Sequence, residues 1–116
     1  MALIRLFVPA RDFARSIAFY QAIGFALDYR DDDLAILTFE GAGLLLQNYD
    51  APGFADNAMH QLFVSALDQW WERTADVVHR FGVKPPVAPV EKPWGLRVGF
   101  LYDPSGVLWQ VSEEAH

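Results

Sequence analysis

Residues 94–113, WGLRVGFLYDPSGVLWQVSE, decide how this chain folds. Two runs rich in β-branched, aromatic and aliphatic residues flank Asp103-Pro104-Ser105-Gly106. Proline presets the first turn position and glycine takes positive φ, so the stretch predicts a β-hairpin. The same order of residues occurs earlier, with residues 34–40, a Gly41-Ala42-Gly43 turn, and residues 44–49. The two return strands begin alike, Gly43-Leu44-Leu45-Leu46-Gln47 and Gly106-Val107-Leu108-Trp109-Gln110, each with one glutamine at the same step.

Two copies of a hairpin imply a repeat, and the rest of the repeat is present. Phe13, Ile17, Tyr20 and Ile23 mark one face of a helix that Gly24 stops; Leu67, Trp71, Ala75, Val78 and Phe81 do the same before Gly82. Each helix lies between two strand-like runs, residues 2–8 and 25–30 in the first copy and 59–64 and 84–90 in the second. The chain therefore reads βαβββ twice: a first module over residues 1–50, a linker over 51–58 and a second module over 59–116. The Pro, Gly, Asp and Asn content of the linker predicts a loop. The fold class is α+β, within one domain.

Residues 12–25 read D-F-x-R-S-I-x-F-Y-x-x-x-G-F, and residues 93–109 close with P-W-G…D-P-S-G-x-x-W. In this tandem setting they resemble the glyoxalase/bleomycin-resistance/dioxygenase superfamily, also called vicinal oxygen chelate proteins. The resemblance covers nearly the whole chain and implies a curved mixed sheet, or half-barrel, that lines a cup. The superfamily includes metal-dependent isomerases, dioxygenases, antibiotic-modifying transferases and non-enzymatic drug binders, so fold alone leaves the activity open.

A chain of 116 residues, 53% of them hydrophobic, supplies one well-buried core and leaves no room for a second domain. No signal-peptide pattern and no membrane-length apolar run are present, so a cytoplasmic protein without a membrane partner is expected. The absence of cysteine excludes disulfides and thiolate chemistry. A net charge of −6 argues against nucleic acid and, beyond solubility, favours cationic ligands.

Several polar residues have structural readings. Asp12 caps the first helix, and residues 65–68 have capping-box spacing for the second. Asp31-Asp32-Asp33 lacks the spaced ligands and glycine of a calcium loop, so a solvated turn is expected. Of Trp70 and Trp71, about 100° apart on a helix, one enters the core and the other covers a rim or a partner subunit. Pro85, Pro86 and Pro89 make the sixth strand an irregular edge. Arg5 either joins an edge or dimer-interface ion pair or enters the cup to hold a carboxylate or carbonyl.

Metal-dependent members of the resembled superfamily carry histidines on the first strand of each module and glutamates on the last. Matched here, those positions are Leu3, Gln47, Met59 (or Gln61 in a register two residues away) and Gln110. Neutral amides, a thioether and leucine make a poor set for hard or borderline divalent ions, so no metal and no other cofactor is expected. His60 is the weak alternative, since its one-residue offset turns it to the opposite face from Met59, Gln61 and Phe63. His79 falls among charged helix residues and His116 ends the chain. No nucleophile triad or phosphate loop is recognisable.

Closure of the second hairpin through a three-residue loop puts Gln110 opposite Phe100 and Leu108 opposite Tyr102. Analogous closure of the first puts Gln47 opposite Leu37 and Leu45 opposite Phe39, with Phe7 and Phe63 on the matching faces. These residues, with Trp94 on a loop at the mouth, outline an aromatic pocket for a flat small molecule, hydrophobic or cationic; alternatively they fill a core. Three readings follow: a non-enzymatic drug- or antibiotic-binding protein, a superfamily enzyme, or a scaffold with a filled cup. The resemblance also implies a homodimer whose cups combine modules of two chains.

Overall fold

The computed structural model describes residues 2–113. His116 lies outside them. Alternating apolar residues give strands β1 (Leu6–Ala10), β2 (Ala26–Arg30), β3 (Leu34–Phe39) and β4 (Ala42–Asn48), with helix α1 (Phe13–Ala22) after β1. A short helix, α2 (Pro52–Ala55), then leads to β5 (Met59–Val64), helices α3 (Leu67–Arg73) and α4 (Val77–Phe81), and strands β6 (Val87–Glu91), β7 (Arg97–Tyr102) and β8 (Leu108–Glu113). The strands form two four-stranded mixed sheets, ordered β1-β4-β3-β2 and β5-β8-β7-β6. In each, the first strand runs parallel to the last and the others pair antiparallel. Neither sheet closes into a barrel.

One side of each sheet packs against helices in a shared core. Val8, Leu37, Leu44 and Leu46 from the first sheet join Leu62, Val64, Trp109 and Val111 from the second, together with Phe19, Tyr20, Leu67 and Trp70 from the helices. The other side of each sheet faces away from that core and leaves Phe7, Met59 and Phe63 between 45% and 59% exposed. These open faces carry every second residue of the strands, as the pleat requires.

Several local expectations change. β1 starts at Leu6 because its ladder with β4 begins at the Leu6–Leu44 pair; Leu3 precedes it and is exposed. Pro9 is tolerated because β1 is an edge strand. The first hairpin turns through Glu40 and Gly41, with φ of 49° and 86°, and not through residues 41–43. Gln47 therefore faces Leu34 and Leu45 faces Ile36. The shift from the expected pairing is odd, so it reverses the face of every β3 residue. Phe39 accordingly lies on the helix side, its ring 5.5 Å from that of Phe25.

The second helix is broken in two, and its buried face is Leu67, Trp70, Val77 and Phe81, not the series through Trp71, Ala75 and Val78. Trp70 enters the core, where its indole N–H donates to the Ile23 carbonyl at 2.8 Å. Trp71 instead lies against Gly99 of β7. Asp12 caps α1 through the Arg15 amide. The capping box at residues 65–68 does not form: Ala66 is the cap, Ser65 donates to the Glu40 carboxylate and Asp68 pairs with Arg97. In the triple-aspartate turn Asp31 accepts the Asp33 and Leu34 amides, both at 2.8 Å. The Tyr29 hydroxyl, then those amides, hold its carboxyl below the ordinary range. The linker is partly helical, with Pro52 in its first turn.

Candidate functional site

The open face of the first sheet contains a cavity of about 390 Å³ lined by Phe7, Pro9, Gln47, Tyr49, Ala51 and Phe54. β1 supplies Phe7 and Pro9, β4 supplies Gln47, and α2 supplies Phe54. Of these, Phe7 and Gln47 were expected from sequence. Tyr49 and Phe54 were not, although Pro52 at a helix start signals the turn that positions Phe54.

The second sheet collects the other expected residues on one face. Gln61 and Gln110 are direct cross-strand neighbours, Phe100 sits across from Gln110, and Tyr102 sits across from Leu108. Met59 and Phe63 flank Gln61 at the alternate positions of β5. The Gln110 amide donates to the Met59 sulfur at 3.0 Å, a weak acceptor. Trp94, 65% exposed, lies in the turn between β6 and β7 that the Gly95 N–H closes on the Lys92 carbonyl. Lys92 in that turn reaches back over Phe100, 5.5 Å from its ring centre, and Lys84 lies 5.6 Å over Tyr102. Arg5 crosses Gly43 on the open side of the first sheet.

These positions do not fit a divalent ion. Gln61 pairs with Gln110 and Pro9 occupies the matching place beside Gln47, so the sites meant for hard ligands offer amides and a proline. Leu3 lies outside the strands. Among the described residues no three His, Cys, Asp or Glu side chains gather. His60 turns toward the core, its ring 5.1 Å from Trp109, and burial lowers its pKa from the usual histidine value.

Sequence reading missed the polar network behind the sheet. The Tyr20 hydroxyl donates to Asp103 Oδ2 at 2.6 Å and accepts from the Trp109 indole at 2.9 Å. Asp103 Oδ1 accepts the Ser105 and Val107 amides. Burial pushes the Asp103 carboxyl up, against the opposing pull of these bonds. Burial, and then the neighbouring Asp103 charge, raise the Tyr20 hydroxyl well above its ordinary value. The network ties α1 to the hairpin that carries Gln110.

Two repeats of βαβββ, joined through their helices and open on the opposite faces of their sheets, define a tandem βαβββ protein. Residues 2–111 match the family model described as Glyoxalase/Bleomycin resistance protein/Dioxygenase superfamily, and the chain belongs to that superfamily. No curated protein matches it. Among solved structures it is similar to a bleomycin-binding protein complexed with bleomycin, at 23% identity and a TM-score of 0.82 over 99% of this chain and 100% of that one. The bleomycin resistance determinant encoded on the transposon Tn5 is 22% identical, with a TM-score of 0.80 over the full length of both chains. Lactoylglutathione lyase of Agrobacterium tumefaciens is 18% identical, with a TM-score of 0.70 over 97% of this chain and 92% of that one. Likeness at these identities establishes the fold.

Proposed function

We propose that the protein binds a flat, aromatic small molecule and holds it without chemical change. The observation that carries this reading is the aromatic, amide-bearing character of both open faces: Phe7, Tyr49, Phe54 and Gln47 on the first sheet, Phe100, Tyr102, Gln61 and Gln110 on the second. Aromatic faces stack on planar ligands while a few amides fix orientation. The bleomycin-binding proteins of the same fold support a drug or antibiotic as ligand. We further propose that two chains assemble so that each cup combines the first sheet of one with the second sheet of the other. The exposure of Phe7, Met59 and Phe63 supports this, since each sheet alone leaves one apolar face uncovered.

Titration with aromatic antibiotics, intercalators and glycopeptides included, tests the reading through tryptophan emission. At least one compound quenches saturably, and Gln110→Leu weakens it by about 0.5–1.5 kcal/mol, the usual worth of one hydrogen bond. Trp94→Ala also weakens it, and both variants stay folded. Failure of every compound overturns the binding reading. Elemental analysis finding near one transition-metal ion per chain, lost on substituting His60, would transfer support to an enzyme.

A further inference from the structure

The charge distribution on the second sheet is opposite to that of the chain. The protein carries −6 overall, yet none of the open-face positions of β5, β6, β7 and β8 is acidic. Glu91 and Glu113 belong to those strands but lie on the helix side, Glu91 paired across from Arg97. Two ammonium groups lie over rings of that face, Lys84 over Tyr102 and Lys92 over Phe100. Among the described residues Lys92 has no carboxylate within ion-pair distance, and Lys84 has only Asp56, at 3.9 Å. The first sheet differs, because Asp28 accepts from Thr38 on its open side while Arg5 crosses Gly43 there.

A cationic ligand arriving at Phe100 or Tyr102 would have to replace a cation already seated on the ring. That exchange gains nothing in cation–π attraction and brings like charges together. An anion meets the reverse situation. Both ammonium groups can turn from ring to ligand, and the Gln110 N–H gives up only a thioether sulfur.

We infer that the open face of the second sheet selects an aromatic molecule bearing an anionic group, held by Lys84, Lys92 and the Gln110 amide, with its ring laid over Phe100 and Tyr102. This rests on the small-molecule reading and gives that face a preference opposite to the one suggested by net charge.

Three probes of one shape test it: 2-naphthoate, neutral 2-naphthamide and 2-naphthylmethylammonium, titrated into the 15N-labelled protein. 2-Naphthoate binds more tightly than the ammonium probe and shifts the amide signals of Phe100 and Gln110. Lys84→Met and Lys92→Met, both at exposed or half-exposed side chains, each weaken 2-naphthoate by about two- to fivefold, the range expected for one solvent-accessible charge pair. Each weakens 2-naphthoate more than it weakens 2-naphthamide. Equal or tighter binding of the ammonium probe, or shifts confined to Phe7 and Tyr49, overturns the charge preference and leaves the binding reading standing. If none of the probes binds while an aromatic antibiotic still quenches the tryptophan emission, the charge preference falls and the binding reading stands; if neither the probes nor the antibiotics bind, both fall.

Discussion

Tyr20 is the residue on which the two halves of the molecule depend most directly. Its hydroxyl both donates to Asp103 and accepts from Trp109, so replacing it leaves two buried polar groups without a partner. Tyr20→Phe should therefore destabilise the protein by about 1–3 kcal/mol in urea unfolding, well above the loss of a solvent-exposed bond. Asp103 adds a pH dependence of known sign. Burial raises its folded pKa above the ordinary 3.8, so its favourable contribution is complete below that value and is lost as pH rises through the raised one. The stability of the wild type relative to Asp103→Asn should fall across that interval, and urea melts at stepped pH will show it. A difference that stays flat, or grows with pH, contradicts the burial assignment. None of this was visible in sequence: Tyr20 reads as one more apolar step of a helix and Asp103 as a turn residue, and only tertiary packing brings them together.

At the scale of elements, sequence was informative wherever a turn carries its own chemistry. Pro104 and Gly106 set the second hairpin, and the pairing of Phe100 with Gln110 follows from it. The first hairpin has Glu40 at positive φ, a place that no residue preference announces, and the resulting shift put Phe39 on the wrong face. The break between α3 and α4 was hidden for a similar reason. Apolar residues continue through it, while Thr74 turns its hydroxyl back onto the Trp70 and Trp71 carbonyls. The packing of α3 on β7 gives a prediction. A Cβ on Gly99 would lie 2.6 Å from the Trp71 ring, so Gly99→Ala must displace an indole wedged between helix and sheet. It should cost about 1–3 kcal/mol, as overpacking does. Gly53→Ala, in α2 with nothing near its added methyl, should be neutral or slightly stabilising. Equal thermal shifts for the two would contradict the close contact.

The whole molecule leaves open the question of how two sheet faces in one chain become a pocket. The helix sides of both sheets share one core, which directs the open faces away from it, and each of these leaves large apolar side chains exposed in the single chain, Phe7 on the first and Met59 and Phe63 on the second. A symmetric pair of chains can close both at once, the first sheet of each meeting the second sheet of its partner. Light scattering should then give twice the chain mass, and a monomer at all concentrations overturns the arrangement. A dimer alone does not establish which sheets meet, but a mixing experiment does. Gln47→Leu and Gln110→Leu damage opposite walls of the proposed cup. When the two variants are unfolded together and refolded, a heterodimer with cross-chain cups holds one doubly altered cup and one with both glutamines intact. Random assembly then restores wild-type affinity, for whichever aromatic compound quenches the native protein, in about a quarter of all cups. Cups built within single chains each keep one substitution, and no tight-binding fraction returns. The restored fraction reports the pairing of sheets directly, because neither variant can supply it alone.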